Sequence, residues 1–117
     1  MRLPHAGGAY VPRGKVKGYL LSLSHPLGRS KARFFRGIGF DEQDAELLET
    51  ELLRLAREGT VVERIPGDYG TKYIVRGGIN TPAGERVSVT TVWLIETGQV
   101  RPRLVTAYPG EGSKGVE

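Results

Sequence analysis

The residue best suited to chemistry in this sequence is His25, because an imidazole can give or take a proton near neutral pH. It lies in the segment HPLGRSKARFF, in which several cations follow it. A proton-transfer group beside cations and a helix N-terminus suits phosphodiester cleavage, where one group moves a proton and others stabilise negative charge. The alternative is a structural histidine that hydrogen-bonds a turn or caps a helix. The sequence leaves both interpretations open.

The cations after His25 are candidates for contacting a phosphate. Lys31 and Arg33 are two residues apart, so they cannot share one face of a helix, and Lys31 is the one that we expect in a common site with His25. Arg29 and Arg33 are then candidates for substrate binding. The alternative for each cation is a solvent-exposed side chain, which is the usual position of a lone Lys or Arg.

Two predicted strands carry hydroxyl and aromatic candidates. Alternation places Thr91 and Trp93 on one face of one strand, and it places Leu104, Thr106 and Tyr108 on one face of the next. Hydroxyl groups on an apolar strand face can donate to a phosphate or orient a water, but threonine is also a plain strand former. Trp93 has large apolar neighbours, which favours a core position over a stacking platform.

Three further residues are candidates for substrate binding. Arg103 follows Pro102 at the start of the last predicted strand, and Lys72 and Tyr73 lie in the segment GTKY. A guanidinium can bind phosphate through two parallel hydrogen bonds, and an aromatic ring can stack on a base.

The helical elements follow from hydrophobic periodicity. The run from Lys15 to Ser24 is predicted to be a short strand or an extended lead-in that ends at His25 and Pro26. A helix then begins near Gly28 and stops at Gly37 and Gly39. A second helix is capped by Asp41, carries an apolar stripe at three- and four-residue steps, and ends at Gly59.

After Gly59 the period changes to alternation, which predicts strands. The runs TVVERI, TKYIVRG, ERVSVTTVWLIE and VRPRLVTAY are separated by the turn-forming segments GDYG, NTPAG and TGQ, which indicates an antiparallel meander. The predicted class is α+β, with two N-terminal helices packed on one face of a four-stranded antiparallel sheet. The other face is left partly open for a substrate groove. We expect an irregular arm over residues 1–14, one domain over 15–109 and a flexible tail over 110–117.

Composition excludes several classes of protein. The chain has no cysteine and two histidines, so we expect no disulfide, no thiol nucleophile, no metal site and no cofactor. No apolar stretch approaches the roughly 20 residues of a membrane span, and the prediction is a cytoplasmic protein without membrane contact.

Residues 1–40 hold eight Lys or Arg and no acidic residue. Such a basic third attracts polyanions, although it can also balance the acidic helix that follows it.

The segments GYLLSLSHPLGRSKARFF, YGTKYIV, TVWLIETG and PRLVTAYP, in this order, resemble a bacterial family known as the domain of unknown function 6883. The resemblance covers roughly residues 15 to 109. Members of the family look like ribonuclease toxins of the barnase, EndoU, colicin and RelE type, which occur in small operons or as the last domain of long secreted toxins. That wider group has two N-terminal helices and a four-stranded antiparallel sheet, in agreement with the layout predicted above.

The resemblance also implies roles for individual residues. His25 in HPLG would be the general acid or base, and Lys31 in SKA would contact phosphate. The residues that would complete the groove are Thr91, Trp93, Arg103, Thr106 and Tyr108. In relatives the residue before TVW is often arginine, whereas here it is Thr90.

Two functions are therefore carried forward. The first is a metal-independent endoribonuclease, the toxin of a toxin–antitoxin pair, which cleaves RNA by attack of the 2′-hydroxyl and is neutralised by a small acidic antitoxin. The second is a non-catalytic module that binds nucleic acid or a protein partner.

Overall fold

A computed structural model describes residues 1–110 of the chain, and within them it shows a mixed α+β fold with one four-stranded antiparallel sheet. The strands are β1 (Thr60–Gly67), β2 (Gly70–Asn80), β3 (Arg86–Glu96) and β4 (Arg103–Pro109). Their order in the sheet is β1-β2-β3-β4. The predicted fold class and the predicted meander are therefore confirmed.

The helical part contains more than the two helices that were predicted. The α-helices are α1 (Arg29–Gly37) and α2 (Ala45–Glu58). Residues 1–110 also contain three short helical segments: a 3-10 turn at Ala6–Gly8, a π-helix at Val16–Leu20 and a 3-10 turn at Glu42–Asp44. The description as two N-terminal helices was thus too simple.

The prediction of a strand or extended segment over Lys15–Ser24 was wrong, because its central part is the π-helix. Val16, Leu20 and Leu21 are buried. Leu20 and Leu21 follow Val16 by four and five residues. A helical turn of about five residues brings these positions to one side, and all three pack into the core with the α-helices.

The second helix begins and ends as its sequence predicts. Asp41 and Asp44 form a capping box that satisfies backbone N–H groups before α2. Leu48, Leu52 and Leu55 are almost completely buried on its inner face. The helix ends at Gly59, where a Cβ atom would lie 2.8 Å from the carbonyl oxygen of Leu55. Only glycine therefore fits between the helix end and the sheet.

A carboxylate on α2 ties the helix to the end of β2. Glu51 is 7% exposed, and it accepts hydrogen bonds from the Asn80 backbone N–H at 2.7 Å and from the guanidinium of Arg54. The hydrogen bond from Arg54 is the main reason that the pKa of Glu51 is lowered, although burial acts in the opposite direction. Arg54 also donates to Glu58 at 2.9 Å, so two carboxylates neutralise its charge.

The two faces of the sheet differ in what covers them. The covered face packs against both α-helices and the π-helix, and its central residues in the core are Tyr73, Val75, Val89, Trp93 and Leu104. The open face carries the alternate positions, which pair in rows across β2, β3 and β4. These rows are Lys72–Leu94–Arg103, Ile74–Val92–Thr106 and Arg76–Thr90–Tyr108.

A β-bulge in β4 changes which residues share a face. Val92 pairs with Thr106 while Trp93 pairs with Leu104, so Val105 is the extra residue. Leu104 is fully buried on the covered face, whereas Thr106 and Tyr108 lie on the open face. The prediction that all three share one face was therefore wrong, because a bulge shifts alternation by one residue.

The N-terminal residues are tied to both edges of the sheet. Leu3 is buried in the core, and Tyr10 forms a bridge with Arg103 at the outer edge of β4. At the other edge, the Val61 N–H donates to the Met1 carbonyl oxygen at 2.8 Å, and most of β1 is exposed.

The predicted flexible tail lies, apart from Gly110, outside the described residues. None of the helices in residues 1–110 has the length and apolar character that crossing a bilayer requires.

Candidate functional site

Four half-buried side chains form a cluster at the outer edge of β4, which we call the His25 cluster: Lys15, Tyr19, His25 and Thr106. The Tyr19 hydroxyl lies 3.1 Å from Oγ1 of Thr106, and either oxygen can be the donor. The His25 ring packs edge-on against the Tyr19 ring, with 5.1 Å between the ring centres. The Lys15 ammonium lies 4.7 Å from the centre of the same tyrosine ring.

Local backbone structure brings this cluster together. The π-helix carries Tyr19, and the turn after it returns the chain so that Gly28 packs on the tyrosine. A Cβ atom at Gly28 would lie 2.4 Å from the Tyr19 carbonyl oxygen, so glycine is required at this close approach. The turn places His25 beside Tyr19, and α1 packs against both the π-helix and β4.

The orientation of His25 is determined by its Nδ1 atom. This nitrogen accepts hydrogen bonds from the backbone N–H groups of Leu27 at 3.0 Å and Gly28 at 3.1 Å. An Nδ1 atom that accepts cannot carry the ring proton, so the neutral ring is protonated at Nε2. No described residue hydrogen-bonds to Nε2. The histidine therefore stabilises the turn with one nitrogen and presents an N–H donor with the other.

A second row of polar residues adjoins the cluster on the open face. Tyr108 lies two residues beyond Thr106 on β4, and it pairs with Thr90, which in turn pairs with Arg76. Nε of Arg76 donates to Oγ1 of Thr90 at 3.0 Å. Thr90 is 1% exposed and lies beneath this guanidinium. The Arg76 guanidinium on β2 thus covers the hydroxyl of Thr90 on the neighbouring strand.

Three of the four cations of α1, the helix that packs against the π-helix and β4, were candidates, and they differ in exposure. Lys31 is half-buried, whereas Arg29 and Arg33 are exposed. None of the three forms a side-chain hydrogen bond or ion pair with another residue of the described range. The positive charges of Arg29 and Arg33 are therefore exposed to solvent on the helix that follows His25, and Lys31 is partly accessible there.

Three of the predicted site residues belong to the core instead of a groove. Thr91 and Trp93 are both 0% exposed, and Tyr73 is 7% exposed. The Thr91 hydroxyl donates to the Val75 carbonyl oxygen at 2.9 Å and accepts from the Trp93 indole N–H at 2.7 Å. The predicted roles were catalytic for Thr91 and substrate-binding for Tyr73 and Trp93, whereas all three side chains are buried on the face that the helices cover. The side-chain polar atoms of Thr91 and Trp93 are satisfied within the protein.

The remaining candidates lie at the other end of the open face. Lys72 is exposed, and Arg103 forms an ion pair with Glu96 at 2.8 Å. Beside Arg103 a groove of about 600 Å³ is lined by Tyr69 and Leu94. Tyr69 is at the tip of the β1–β2 hairpin and is 86% exposed. An exposed ring beside a cation forms a platform on which a base can stack.

Sequence reasoning missed four polar side chains of this surface: Lys15, Tyr19, Tyr69 and Arg76. Lys15 and Tyr19 lie in the segment interpreted as extended. Tyr69 lies in GDYG, which reads only as a turn. Arg76 is four residues after Lys72 on β2, so alternation along the strand places both on the same face, and the sequence could have indicated this.

Comparisons with known proteins give a family and a fold. The family model described as "Domain of unknown function (DUF6883)" matches residues 2–111. No curated protein matches the chain. A solved chain from the contact-dependent growth inhibition toxin–immunity protein complex of Klebsiella pneumoniae 342 aligns with a TM-score of 0.67 and 17% identity, over 92% of this chain and 97% of that chain. At this identity the alignment shows a shared fold.

Proposed function

We propose that this chain, which belongs to the DUF6883 family, is an endoribonuclease toxin whose active site is the His25 cluster. The single observation that carries the proposal is the geometry of this cluster. A ring N–H donor, a pair of hydrogen-bonded hydroxyl groups and the Lys15 ammonium meet at one edge of the open sheet face. These are the groups that RNA cleavage without a metal ion needs.

The shared fold supports a toxin role. The solved chain of similar fold comes from a complex between a growth inhibition toxin and its immunity protein. The two chains match over nearly their whole lengths. The arrangement of helices before a four-stranded antiparallel sheet also agrees with ribonuclease toxins of the barnase, EndoU, colicin and RelE type, to which this family was expected to be related.

In the proposed reaction the 2′-oxygen of RNA forms a bond to the adjacent phosphorus while the bond from phosphorus to the 5′-oxygen breaks. One proton passes in net from the 2′-hydroxyl to the departing 5′-oxygen. The Tyr19 and Thr106 hydroxyls are the proposed relay for this proton, because they are hydrogen-bonded to each other and a hydroxyl group can both donate and accept. His25 donates a hydrogen bond from Nε2–H to a phosphoryl oxygen, as a neutral imidazole can. This role is narrower than general acid or base, because Nδ1 is engaged by the turn.

The cations near the cluster stabilise the negative charge that develops on the phosphoryl oxygens. Two ammonium groups are assigned this role: Lys15, which lies over the Tyr19 ring, and Lys31, which lies on α1 shortly after His25 in the chain. Arg29 and Arg33 lie on the exposed surface of α1 and attract the RNA backbone. Lys72, Arg103 and the exposed Tyr69 ring then bind nucleotides further along the open face.

A protein partner is part of the proposal. A toxin of this kind requires an inhibitor in the cell that produces it, and the basic surface of residues 1–40 favours a small acidic immunity protein or antitoxin. Such a protein would cover the same cations that bind RNA.

The second candidate function is a non-catalytic module that binds nucleic acid or a protein. The observation that favours it is the turn contact of His25, because two backbone hydrogen bonds are a sufficient structural reason for a histidine at this position. This candidate predicts binding that weakens with salt and no turnover.

The test is incubation of the purified chain, free of any inhibitor, with total bacterial RNA in the presence of EDTA, followed by analysis of the fragment ends. We expect fragments with 2′,3′-cyclic phosphate and 5′-hydroxyl ends, because the 2′-oxygen is the nucleophile. Induced expression should arrest bacterial growth. Intact RNA, or fragments with 5′-phosphate ends, would refute the proposal.

A further inference from the structure

We propose that the groove beside Tyr69 is a subsite for one unpaired nucleobase that carries an amino group on its pairing edge, namely cytosine or adenine. This inference rests on the proposed ribonuclease function and deepens it by naming the substrate, which is single-stranded RNA with such a base close to the cleaved bond. The groove lies at the end of the sheet where the β1–β2 hairpin meets the turn after β3.

The backbone of Tyr69 is held in place while its ring is exposed. The Thr97 N–H donates to the Tyr69 carbonyl oxygen at 2.9 Å, so the turn after β3 anchors the tip of the β1–β2 hairpin. Gly70 follows with a φ of 148°, and a Cβ atom there would clash with the Ile95 carbonyl oxygen. Only glycine therefore lets the tip pack against β3. The exposed ring has few rotatable bonds, so it loses little conformational freedom when a base stacks on it.

Two adjoining grooves share the residues around this ring. Asp68, Tyr69 and Leu94 line both a groove of about 600 Å³ and a second groove of about 310 Å³. Leu94 is half-buried on the open face of the sheet, and Ile65 and Pro66 add apolar surface to the second groove. A tyrosine ring beside an apolar surface suits the flat, apolar faces of a nucleobase.

The charges around Tyr69 balance, which favours a neutral base over a phosphate. Asp68, Glu96 and Arg103 line the larger groove, and Lys72 lines the smaller one. Glu96 and Arg103 form an ion pair at 2.8 Å. Neither Asp68 nor Lys72 forms a side-chain hydrogen bond or ion pair with another residue of the range 1–110. Two carboxylates and two cations leave no net positive charge that would attract a phosphodiester or an acidic protein.

The carboxylate of Asp68 distinguishes bases by the groups on their edges. A carboxylate only accepts hydrogen bonds. Cytosine and adenine have an amino group at C4 and C6, whereas uracil and guanine have a carbonyl oxygen at the same positions. The amino group can donate to Asp68, but a carbonyl oxygen is repelled by it. Arg103, which Glu96 restrains, can donate to the ring nitrogen beside the amino group.

The groove is close to the proposed cleavage site along the sheet. Val92 pairs with Thr106, and Leu94 and Glu96 follow Val92 by two and four residues on β3. These separations correspond to about 7 and 13 Å. The bound base therefore belongs to a nucleotide near the cleaved bond. It has to be unpaired, because a base inside a duplex offers neither a free face nor a free pairing edge.

The first experiment measures the affinity for single-stranded 12-mers of deoxycytidine and of deoxyuridine, which have no 2′-hydroxyl to attack. These bases have the same size but differ at the amino group. We expect the wild type to bind the deoxycytidine 12-mer about fivefold more tightly. Asp68→Asn should reduce this preference to less than about twofold, because an amide also donates to a carbonyl oxygen. Glu85→Gln, in the turn between β2 and β3 at the opposite end of the sheet, is the matched control for charge and should keep the preference.

The contribution of the ring is measured with the same two 12-mers. Tyr69→Leu should weaken the binding of both about tenfold, because stacking does not depend on the amino group. Tyr69→Phe keeps the ring and should keep the affinity. An unchanged affinity in Tyr69→Leu would overturn the subsite.

Cleavage of poly(C) and poly(U) separates this inference from the proposed function. We expect kcat/KM for poly(C) to exceed that for poly(U) about fivefold in the wild type and to lose this excess in Asp68→Asn. A cytosine preference in binding that Asp68→Asn removes, in a protein that cuts neither these RNAs nor total bacterial RNA, supports the base subsite and refutes the ribonuclease. Equal binding of the two 12-mers overturns the subsite whether or not RNA is cut. A preference that persists in Asp68→Asn also overturns it, because another surface would then select the base.

Discussion

Replacing His25 separates its structural role from its chemical one. In His25→Ala both the turn contact and the ring are lost. In His25→Asn the side-chain oxygen can accept the same backbone N–H groups two and three residues later, as asparagine does in turns. The asparagine variant therefore keeps the acceptor that holds the turn but lacks the Nε2–H donor.

The expected effects on stability follow from two hydrogen bonds, at 3.0 and 3.1 Å, of which one is exposed. Each contributes about 0.5–1 kcal/mol, so the alanine variant should lose about 1–2 kcal/mol. For a chain of 117 residues, 1 kcal/mol corresponds to about 4 °C in Tm. We expect a decrease of about 4–8 °C for His25→Ala and less than about 2 °C for His25→Asn, measured by calorimetry.

The two variants should differ in stability but lose activity to the same extent. Loss of one donor to a developing phosphoryl charge lowers kcat by about 100- to 1000-fold, and both variants should show this loss in a fluorescent RNA cleavage assay. His5→Asn is the matched control, because His5 is exposed with a φ of 56°, which asparagine tolerates. If His25→Asn keeps activity within threefold of the wild type, the ring serves only the turn and the assigned chemistry is refuted.

Three further predictions concern hydroxyl groups and a carboxylate. In a double-mutant cycle of Tyr19→Phe and Thr106→Val, the coupling free energy of unfolding should be about 1 kcal/mol, and a value near zero in urea titrations would contradict their hydrogen bond. Thr91→Val should lower stability by about 2 kcal/mol because the Trp93 indole N–H loses its buried acceptor, with kcat unchanged; a selective loss of kcat would restore Thr91 to the active site. Because the pKa of Glu51 is lowered from its ordinary value of 4.5, its ionised form stabilises the fold above that pH and this contribution is lost as the pH falls through the lowered value. The Tm difference between wild type and Glu51→Gln should therefore be largest near pH 7 and decrease toward pH 3, and a difference independent of pH would show that the charge is not responsible.

The α2 helix and the four strands could be predicted from the sequence because each has one clear period and a clear stop. The stripe of Leu48, Leu52 and Leu55 ends at Gly59, and three turn-forming segments separate the strands. The π-helix at Val16–Leu20 could not be predicted in this way. Its buried residues Leu20 and Leu21 follow Val16 by four and five residues. This spacing matches neither the 3.6-residue period of an α-helix nor the two-residue period of a strand. Its valine and leucine residues also suit a strand.

The site could be predicted only in part, because alternation tells which residues share a face and not which face is covered. Thr91 and Trp93 were correctly placed on one face, but that face is the one under the helices. The bulge at Val105 then separates Leu104 from Thr106, and no residue type in PRLVTAYP marks it. His25 and Thr106 are brought together through Tyr19, which depends on a turn that the local pattern does not reveal.

The exposed strand β1 has a consequence for how the protein behaves at high concentration. It pairs with β2 on one side. On the other side the backbone N–H of Val61 donates a hydrogen bond to the carbonyl oxygen of Met1. A free strand edge is a template to which another chain can add. The irregular register between Val61 and Glu63 and the exposed charges of Glu63 and Arg64 oppose such growth. The strand that contributes least to the core is thus the one whose side chains keep separate molecules from joining into a continuous sheet.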